Sequence, residues 1–161
     1  MSKKTLIASQ QCTQRVKDLR FAHRLWSFTS GPRNLVFIDE TGIHLGMTRT
    51  YGRAPIGERL YDSEVPGDRG KNISLIGGMS IDGLIATMSV ALRVNTHVFL
   101  FYVQEILIPQ LWAGAIVVMD NLPVHHALVV REAIEAVGAK VVFLPPYSPD
   151  LSPIEPKLVK T

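Results

Sequence analysis

The stretch that decides the fold is KVVFLPPYSPDLSPIEP, residues 140–156. Its apolar and β-branched residues 141–144 predict a short buried strand, which the next two prolines end because proline lacks the N–H that a sheet ladder needs. Ser152 and Pro153 then predict a helix start, with Glu155 at the third helical position, where its carboxylate can reach back to the cap. Glu155 is therefore either a capping-box residue or a functional carboxylate, and this stretch alone favours the cap.

Two further apolar runs predict strands that end at acidic residues. Residues 35–38 are continuously apolar, as in a strand buried on both faces, and Asp39 and Glu40 follow them. Residues 116–119 form a similar run, and Asp120 follows it. A lone Asp at a strand end is usually a turn or cap residue, so each carboxylate also has an ordinary structural explanation.

The rest of the pattern predicts a hairpin and two helices. Residues 72–80 and 84–91 flank an Asp-Gly turn at Asp82, and this dipeptide between apolar runs is a strong hairpin signal. Asn95 predicts the cap of one helix, and a second helix is expected over residues 126–137. This order of elements is typical of an α/β fold, with a mixed five-stranded sheet and parallel crossovers between the later strands.

Composition indicates a single globular domain. The chain has 161 residues, of which 47% are hydrophobic and 19% are charged, and it holds one cysteine, Cys12. One cysteine excludes an internal disulfide framework, so a reducing compartment is the simplest setting. No apolar run predicts a membrane span or a targeting segment. We therefore expect a cytoplasmic protein with no membrane partner.

Basic charge is concentrated at the amino-terminal end. Residues 1–34 contain seven Lys or Arg and one Asp, whereas residues 35–161 are acidic overall. We predict a basic helical arm or linker over residues 1–34 and the α/β domain over residues 35–161. Such an arm suits the phosphate backbone of a nucleic acid, and a solvated helix face is an equally good explanation of the charge.

The three carboxylates Asp39, Asp120 and Glu155 are expected to converge. Active sites in open sheets lie beyond the carboxyl ends of adjacent strands, and mutual repulsion there demands a cation. Oxygen-only ligands favour Mg²⁺ or Mn²⁺, and two such ions can activate an attacking oxygen and stabilise a leaving oxygen in phosphoryl transfer. Candidates for contacts to DNA phosphates in the segment between the first two strands are Arg49, Arg53, Arg69 and Lys71.

Four motifs carry a resemblance to a known family: FIDETG, TRTYGRAPIGERL, VVMDN and LPPYSPDLSPIEP. They resemble the DDE transposases of bacterial insertion sequences related to the mariner superfamily, and the 34 residues between Asp120 and Glu155 are characteristic of that group. The resemblance implies a ribonuclease H-like sheet with helices on both faces. It also implies metal-dependent DNA cleavage at transposon ends and strand transfer by the freed 3′ hydroxyl.

The same resemblance implies particular roles for the carboxylates. Asp39 would bridge two Mg²⁺ or Mn²⁺ ions, Asp120 would bind one of them and Glu155 the other. The implied partners are DNA, as transposon ends and target, and a second copy or a full-length transposase. The implied location is the cytoplasm, in association with the nucleoid.

Two departures from the family pattern affect these expectations. Residues 1–30 are too short for the helix-turn-helix modules of the family, and the chain ends at Thr161, so we expect a domain truncated at its C-terminal helix. An inactive remnant that binds DNA or a full-length transposase is therefore an alternative, and a host nuclease of the same fold is another. His125 and His126 are attributed to the start of the neighbouring helix rather than to a metal site.

Overall fold

The computed structural model describes residues 13–44 and 72–154. Several predicted features lie outside these ranges. They are the body of the helix predicted to start at Ser152 and Pro153, the carboxylate of Glu155, and the four DNA-contact candidates Arg49, Arg53, Arg69 and Lys71.

Five strands form one mixed sheet in the order β3-β2-β1-β4-β5. Neighbours β1, β2 and β3 are antiparallel, whereas β4 runs parallel to β1 and β5 runs parallel to β4. The predicted mixed five-stranded sheet is therefore confirmed, including the turn at residues 81–82. The strands are β1 (Leu35–His44), β2 (Asn72–Ser80), β3 (Gly83–Val90), β4 (Ile116–Met119) and β5 (Lys140–Phe143).

In the described part of the chain, three α-helices accompany the sheet: α1 (Gln14–Thr29), α2 (Thr96–Tyr102) and α3 (Leu128–Ala136). After α2 the chain continues through one π-helical and one 3₁₀ turn to Gln110. The predicted cap of α2 is confirmed, because the side chain of Asn95 accepts a hydrogen bond of 3.0 Å from the N–H of Val98.

Helices cover both faces of the sheet, as expected. On one face, the alternate residues Val36 and Ile38 pack with buried side chains of α2 and α3 in the main core. On the opposite face, Trp26 of α1 packs against a smaller cluster formed by Leu35, Val118 and Leu144. The helix from the basic segment therefore contacts the sheet directly.

Strand β1 is longer than the sequence indicates. The strand was expected to end at Asp39, but it continues to His44 because its pairing with β2 extends from Phe37 to His44. Its parallel pairing with β4 covers only Leu35–Phe37. Asp39 therefore lies inside β1, just beyond the point at which β4 stops accompanying it.

None of the helices within the described ranges has the length and apolar character that a membrane crossing requires.

Candidate active site

Asp39 and Asp120 lie beside each other at the carboxyl end of the parallel part of the sheet. Phe37 pairs with Val118, so continuing this register by two residues places Asp39 next to Asp120. Because side chains alternate along a strand, both carboxylates belong to the face that carries Phe37. Both line one open cleft of about 410 Å³. The predicted convergence of these two carboxylates is therefore present in the structure.

Local hydrogen bonds orient Asp39. Its Oδ1 accepts a hydrogen bond of 2.8 Å from the N–H of Glu40, and its side chain is half-buried. The side of β1 that faces β4 has no strand partner in register beyond Phe37, so the cleft opens beside Asp39.

Asp120 is held by two donors on the same oxygen. Its Oδ1 lies 2.6 Å from Nδ1 of His125 and accepts a hydrogen bond of 3.0 Å from the N–H of Leu122. Burial by itself would raise the pKa of Asp120, but the hydrogen bonds from His125 and Leu122 outweigh burial and hold the pKa below its usual value. Asp120 is therefore an ionised carboxylate whose Oδ2 takes no part in these two contacts.

His125 is buried behind Asp120, with a side chain only 1% exposed. Its ring lies 4.4 Å, centroid to centroid, from the ring of Phe99. An ionised carboxylate only accepts hydrogen bonds, so the short contact places a proton on Nδ1 of His125. The opposite nitrogen, Nε2, is buried and meets no hydrogen-bond partner among the described residues.

The attribution of His125 to a helix start is wrong. Helix α3 begins at Leu128, and His125 precedes it in a turn. The sequence signal that could have found its role is the spacing of five residues from Asp120, which lets a turn return the ring to the carboxylate. His126 is different, because it is exposed and stacks on Phe143 at 4.0 Å.

Glu40 points to the opposite face of β1 from Asp39. Its Oε2 atom is buried and has no hydrogen-bond partner among the described residues. Burial raises the pKa of Glu40, His125 opposes this shift, and the charge of Asp120 adds to it. The carboxyl group is thus electrostatically coupled to the Asp120–His125 pair while lying outside the cleft lining.

The loop after β5 forms one wall of the cleft. Asn121 donates a hydrogen bond of 2.6 Å from Nδ2 to the carbonyl of Leu144, which joins this loop to the end of β4. The wall contains Pro145, Pro146, Tyr147, Ser148 and Ser152. Ser148 and Ser152 are buried although they are polar. Pro145 and Pro146 restrict the backbone only at the start of this wall.

Ile154 anchors the end of this loop. Its side chain is fully buried and forms a cluster with Met79, against which Phe37 and Leu75 pack. Phe37 is two residues before Asp39 on the same face of β1. The residue that directly precedes Glu155 in the sequence is therefore fixed on the face of the sheet that carries Asp39.

The donors present fit a hard divalent cation. Carboxylate oxygens on neighbouring strands are ligands that Mg²⁺ and Mn²⁺ prefer, and the low pKa of Asp120 keeps it in the ligating form. No group of three or more His, Cys, Asp or Glu side chains able to hold a metal occurs within residues 13–44 and 72–154. A third carboxylate, if Glu155 supplies it, comes from outside these ranges.

Comparison with known families agrees with this geometry. The family model described as the DDE superfamily endonuclease matches residues 34–159. The match spans most of the chain, so the chain belongs to the DDE superfamily of endonucleases. No curated protein sequence matches it significantly.

Solved structures of Mos1 mariner transposase are similar to this chain. The Mos1 strand transfer complex is 21% identical over 99% of this chain and 51% of that chain, with a TM-score of 0.74. The Mos1 paired-end complex with Mg is 21% identical over the same shares, with a TM-score of 0.71. The Mos1 catalytic domain is 19% identical over 99% of this chain and 72% of that chain, with a TM-score of 0.60. These similarities confirm the ribonuclease H-like fold, and the chain spans about half the length of the transposase chains in the complexes.

Proposed function

We propose that this chain is the catalytic domain of a mariner-related insertion-sequence transposase, which cleaves DNA at transposon ends and transfers the freed strand to a target. The observation that carries the proposal is the position of Asp39 and Asp120 in one cleft, beside each other where the parallel pairing of β1 with β4 stops. Membership of the DDE endonuclease superfamily supports the same chemistry. The similar Mos1 structures include a strand transfer complex and a paired-end complex.

The proposed metal ligands are Asp39, Asp120 and Glu155. Two Mg²⁺ or Mn²⁺ ions, when bound, would supply charge stabilisation for the attacking and leaving oxygens of phosphoryl transfer. Asp39 would contact both ions, and Asp120 and Glu155 would contact one each. Mos1 structures with Mg and with Mn support a divalent cation as the cofactor.

The chain's own side chains prepare this site. The hydrogen bond from His125 fixes one oxygen of Asp120 and does not involve the other, so the carboxylate is held in one orientation before a ligand arrives. The Glu40 N–H likewise holds Oδ1 of Asp39. The proline-rich wall limits where a DNA strand can lie against the two carboxylates.

The proposed partners are transposon-end and target DNA, together with a second copy or a full-length transposase. A Mos1 structure is described as a paired-end complex with the left transposon end, which supports DNA as a partner. Arg49, Arg53, Arg69 and Lys71 remain the proposed DNA contacts. A nucleoid-associated location in the cytoplasm follows from a DNA substrate.

Metal titration and DNA cleavage test this proposal. Isothermal titration calorimetry with Mn²⁺ should show binding to the wild type, and the variants Asp39→Asn and Asp120→Asn should each abolish it or weaken it at least tenfold. The control is Asp82→Asn, in the exposed hairpin turn, which should bind as the wild type does. Mn²⁺ binding that is unchanged in both variants would refute the site.

A labelled DNA carrying the element's terminal repeats separates the proposed activity from its alternatives. Metal-dependent nicking followed by joining to a second DNA is the expected result. Cleavage without any joining would favour a nuclease of the same fold, and DNA binding without cleavage would favour an inactive remnant.

A further inference from the structure

Arg20 of helix α1 makes an unusual set of contacts with the wall of the cleft. Its Nη1 donates to the carbonyl of Tyr147 at 3.4 Å and to Oγ of Ser148 at 2.8 Å. Its guanidinium also binds both carboxylate oxygens of Asp150, at 2.9 and 2.6 Å. The Arg20 side chain is only 16% exposed, so its charge is paired with the loop and largely shielded from solvent.

The segment that Arg20 holds has little regular structure of its own. Tyr147 has a φ of 55°, a conformation that costs a non-glycine residue free energy. Ser148 is buried, donates to the carbonyl of Pro146 at 3.0 Å and accepts from Arg20. A short 3₁₀ turn, Pro149–Leu151, follows. External contacts are therefore needed to keep this wall in one conformation.

The contact has the geometry of a strong ion pair. A fork of two parallel N–H···O bonds to a carboxylate is stronger and more directional than a single contact. The hydrogen bond from Arg20 holds the pKa of Asp150 below its usual value. Arg24, one turn later on α1, lies 3.7 Å from the same carboxylate and is 63% exposed, so its contribution is weaker.

We propose that Arg20 is a positioning residue that locks the wall of the cleft that Asp39 and Asp120 also line. This inference rests on the proposed function. The Arg20 contacts hold residues 147–150, in the middle of the loop, whereas Leu151 and Ile154 pack on the sheet at its far end. At its near end, the hydrogen bond from Asn121 to the carbonyl of Leu144 joins the loop to the residue next to Asp120. Loss of the Arg20 contacts therefore loosens the wall beside Asp120.

With this role for Arg20, helix α1 is part of the scaffold of the proposed active site. Residues 13–29 belong to the segment predicted as a basic arm, and two of its arginines, Arg20 and Arg24, face Asp150. Arg20 is accordingly assigned to the loop and not to a DNA phosphate.

The first test measures the wall directly and does not depend on activity. Limited chymotrypsin digestion of the whole chain, with cleavage sites mapped by mass spectrometry, reports the rate of cutting after Tyr147, which is 48% exposed. Arg20→Gln should increase that rate about tenfold. Asp150→Asn should increase it by a similar factor, because it removes the other partner of the same ion pair. The matched control Arg24→Gln should change it less than threefold.

The second test measures the consequence for the site. In Mn²⁺ titrations, Arg20→Gln and Asp150→Asn should each weaken binding about tenfold, and Arg24→Gln should not. In cleavage assays, both pair variants should lower kcat with an unchanged KM for DNA, because a positioning residue does not bind the substrate. A raised KM for DNA with unchanged kcat would instead assign Arg20 to DNA and overturn the proposal.

The proposed metal site and the proposed role of Arg20 can be refuted independently. If the wild type binds no Mn²⁺, the proposed function fails, and the digestion experiment still decides whether Arg20 holds the wall. If the wild type binds Mn²⁺ and both pair variants match it in digestion and in Mn²⁺ affinity, the positioning role is refuted while the metal site stands.

Discussion

Replacing His125 with phenylalanine separates the orientation of Asp120 from the stability of the fold. Phenylalanine keeps an aromatic ring in the position that lies 4.4 Å from the Phe99 ring, and it removes the N–H that faces the carboxylate 2.6 Å away. Asp120 would keep only its contact with the N–H of Leu122. The carboxylate would then be free to rotate about its side-chain bonds.

The expected loss of metal affinity follows from this geometry. Partners that orient a metal ligand are worth about 10–100-fold in metal affinity when they are removed, which is about 1.4–2.7 kcal/mol. The Nδ1–H···Oδ1 contact is short, charged and shielded by a ring that is 1% exposed, so the upper half of this range is expected.

The expected change in folding stability is much smaller. Removing a hydrogen bond to a charged group costs about 1.5–3 kcal/mol, but the buried Nε2 of His125 already lacks a partner, and its removal returns about 1–3 kcal/mol of desolvation. These contributions oppose each other. The free energy of unfolding should therefore stay within about 1 kcal/mol of the wild type.

Calorimetric titration with Mn²⁺ gives the metal affinity of each variant, and a urea unfolding curve on the same protein gives its free energy of unfolding. The control His126→Phe alters the exposed neighbour, which stacks on Phe143, and should leave Mn²⁺ affinity within about threefold. The orienting role of His125 is refuted if folded His125→Phe binds Mn²⁺ as tightly as the wild type. It is refuted equally if His125→Phe and His126→Phe lose the same affinity for Mn²⁺.

Three further predictions concern stability. Gly78→Ala places a Cβ 3.0 Å from the buried hydroxyl of Tyr102. It should lower the free energy of unfolding by about 1–3 kcal/mol and lower Tm in scanning calorimetry. Gly42→Ala adds a Cβ in open space and should leave Tm unchanged. Asn95→Ala removes the cap of α2 and should lower the free energy of unfolding, measured by urea unfolding, by about 1 kcal/mol. Asn95→Asp keeps an oxygen that can accept from the N–H of Val98 and should unfold as the wild type does. The pKa of Asp150 is lowered from its usual 3.8 by Arg20, so the stabilisation is present above that pH and is lost as pH falls through the lower folded value. The Tm deficit of Asp150→Asn should therefore be full at neutral pH and shrink below pH 3.8, and a deficit that is constant with pH would contradict the ion pair.

Local signals predicted most of the fold. The Asp-Gly turn at Asp82, the cap at Asn95 and the apolar run of β4 each depend on a few consecutive residues, and the structure contains all three. The end of β1 was predicted wrongly at Asp39. Polar residues usually mark the end of a strand, but backbone pairing with β2 continues whatever the side chains are.

The candidate site was only partly predictable. Asp39 and Asp120 could be placed together because carboxyl ends of parallel strands meet at one edge of a sheet. The spacing of five residues from Asp120 was the only signal for the role of His125, and no local signal exists for Arg20, because its contact is long-range. Arg20 and Asp150 are 130 positions apart, and each looks like an ordinary surface charge in the sequence. The role of Glu155 stays a prediction.

The register between β1 and β4 also governs when the site can exist during folding. Asp39 and Asp120 are 81 positions apart in the sequence, and the hairpin and α2 are inserted between them. The meander of β1, β2 and β3 forms from nearby segments, yet it contains only one of the two carboxylates. A chain that has folded this meander and has not docked β4 has no cleft and no paired acids. The proposed metal site therefore arises only with the long-range closure of the sheet, so partly synthesised or partly unfolded copies should bind no Mn²⁺ at this place.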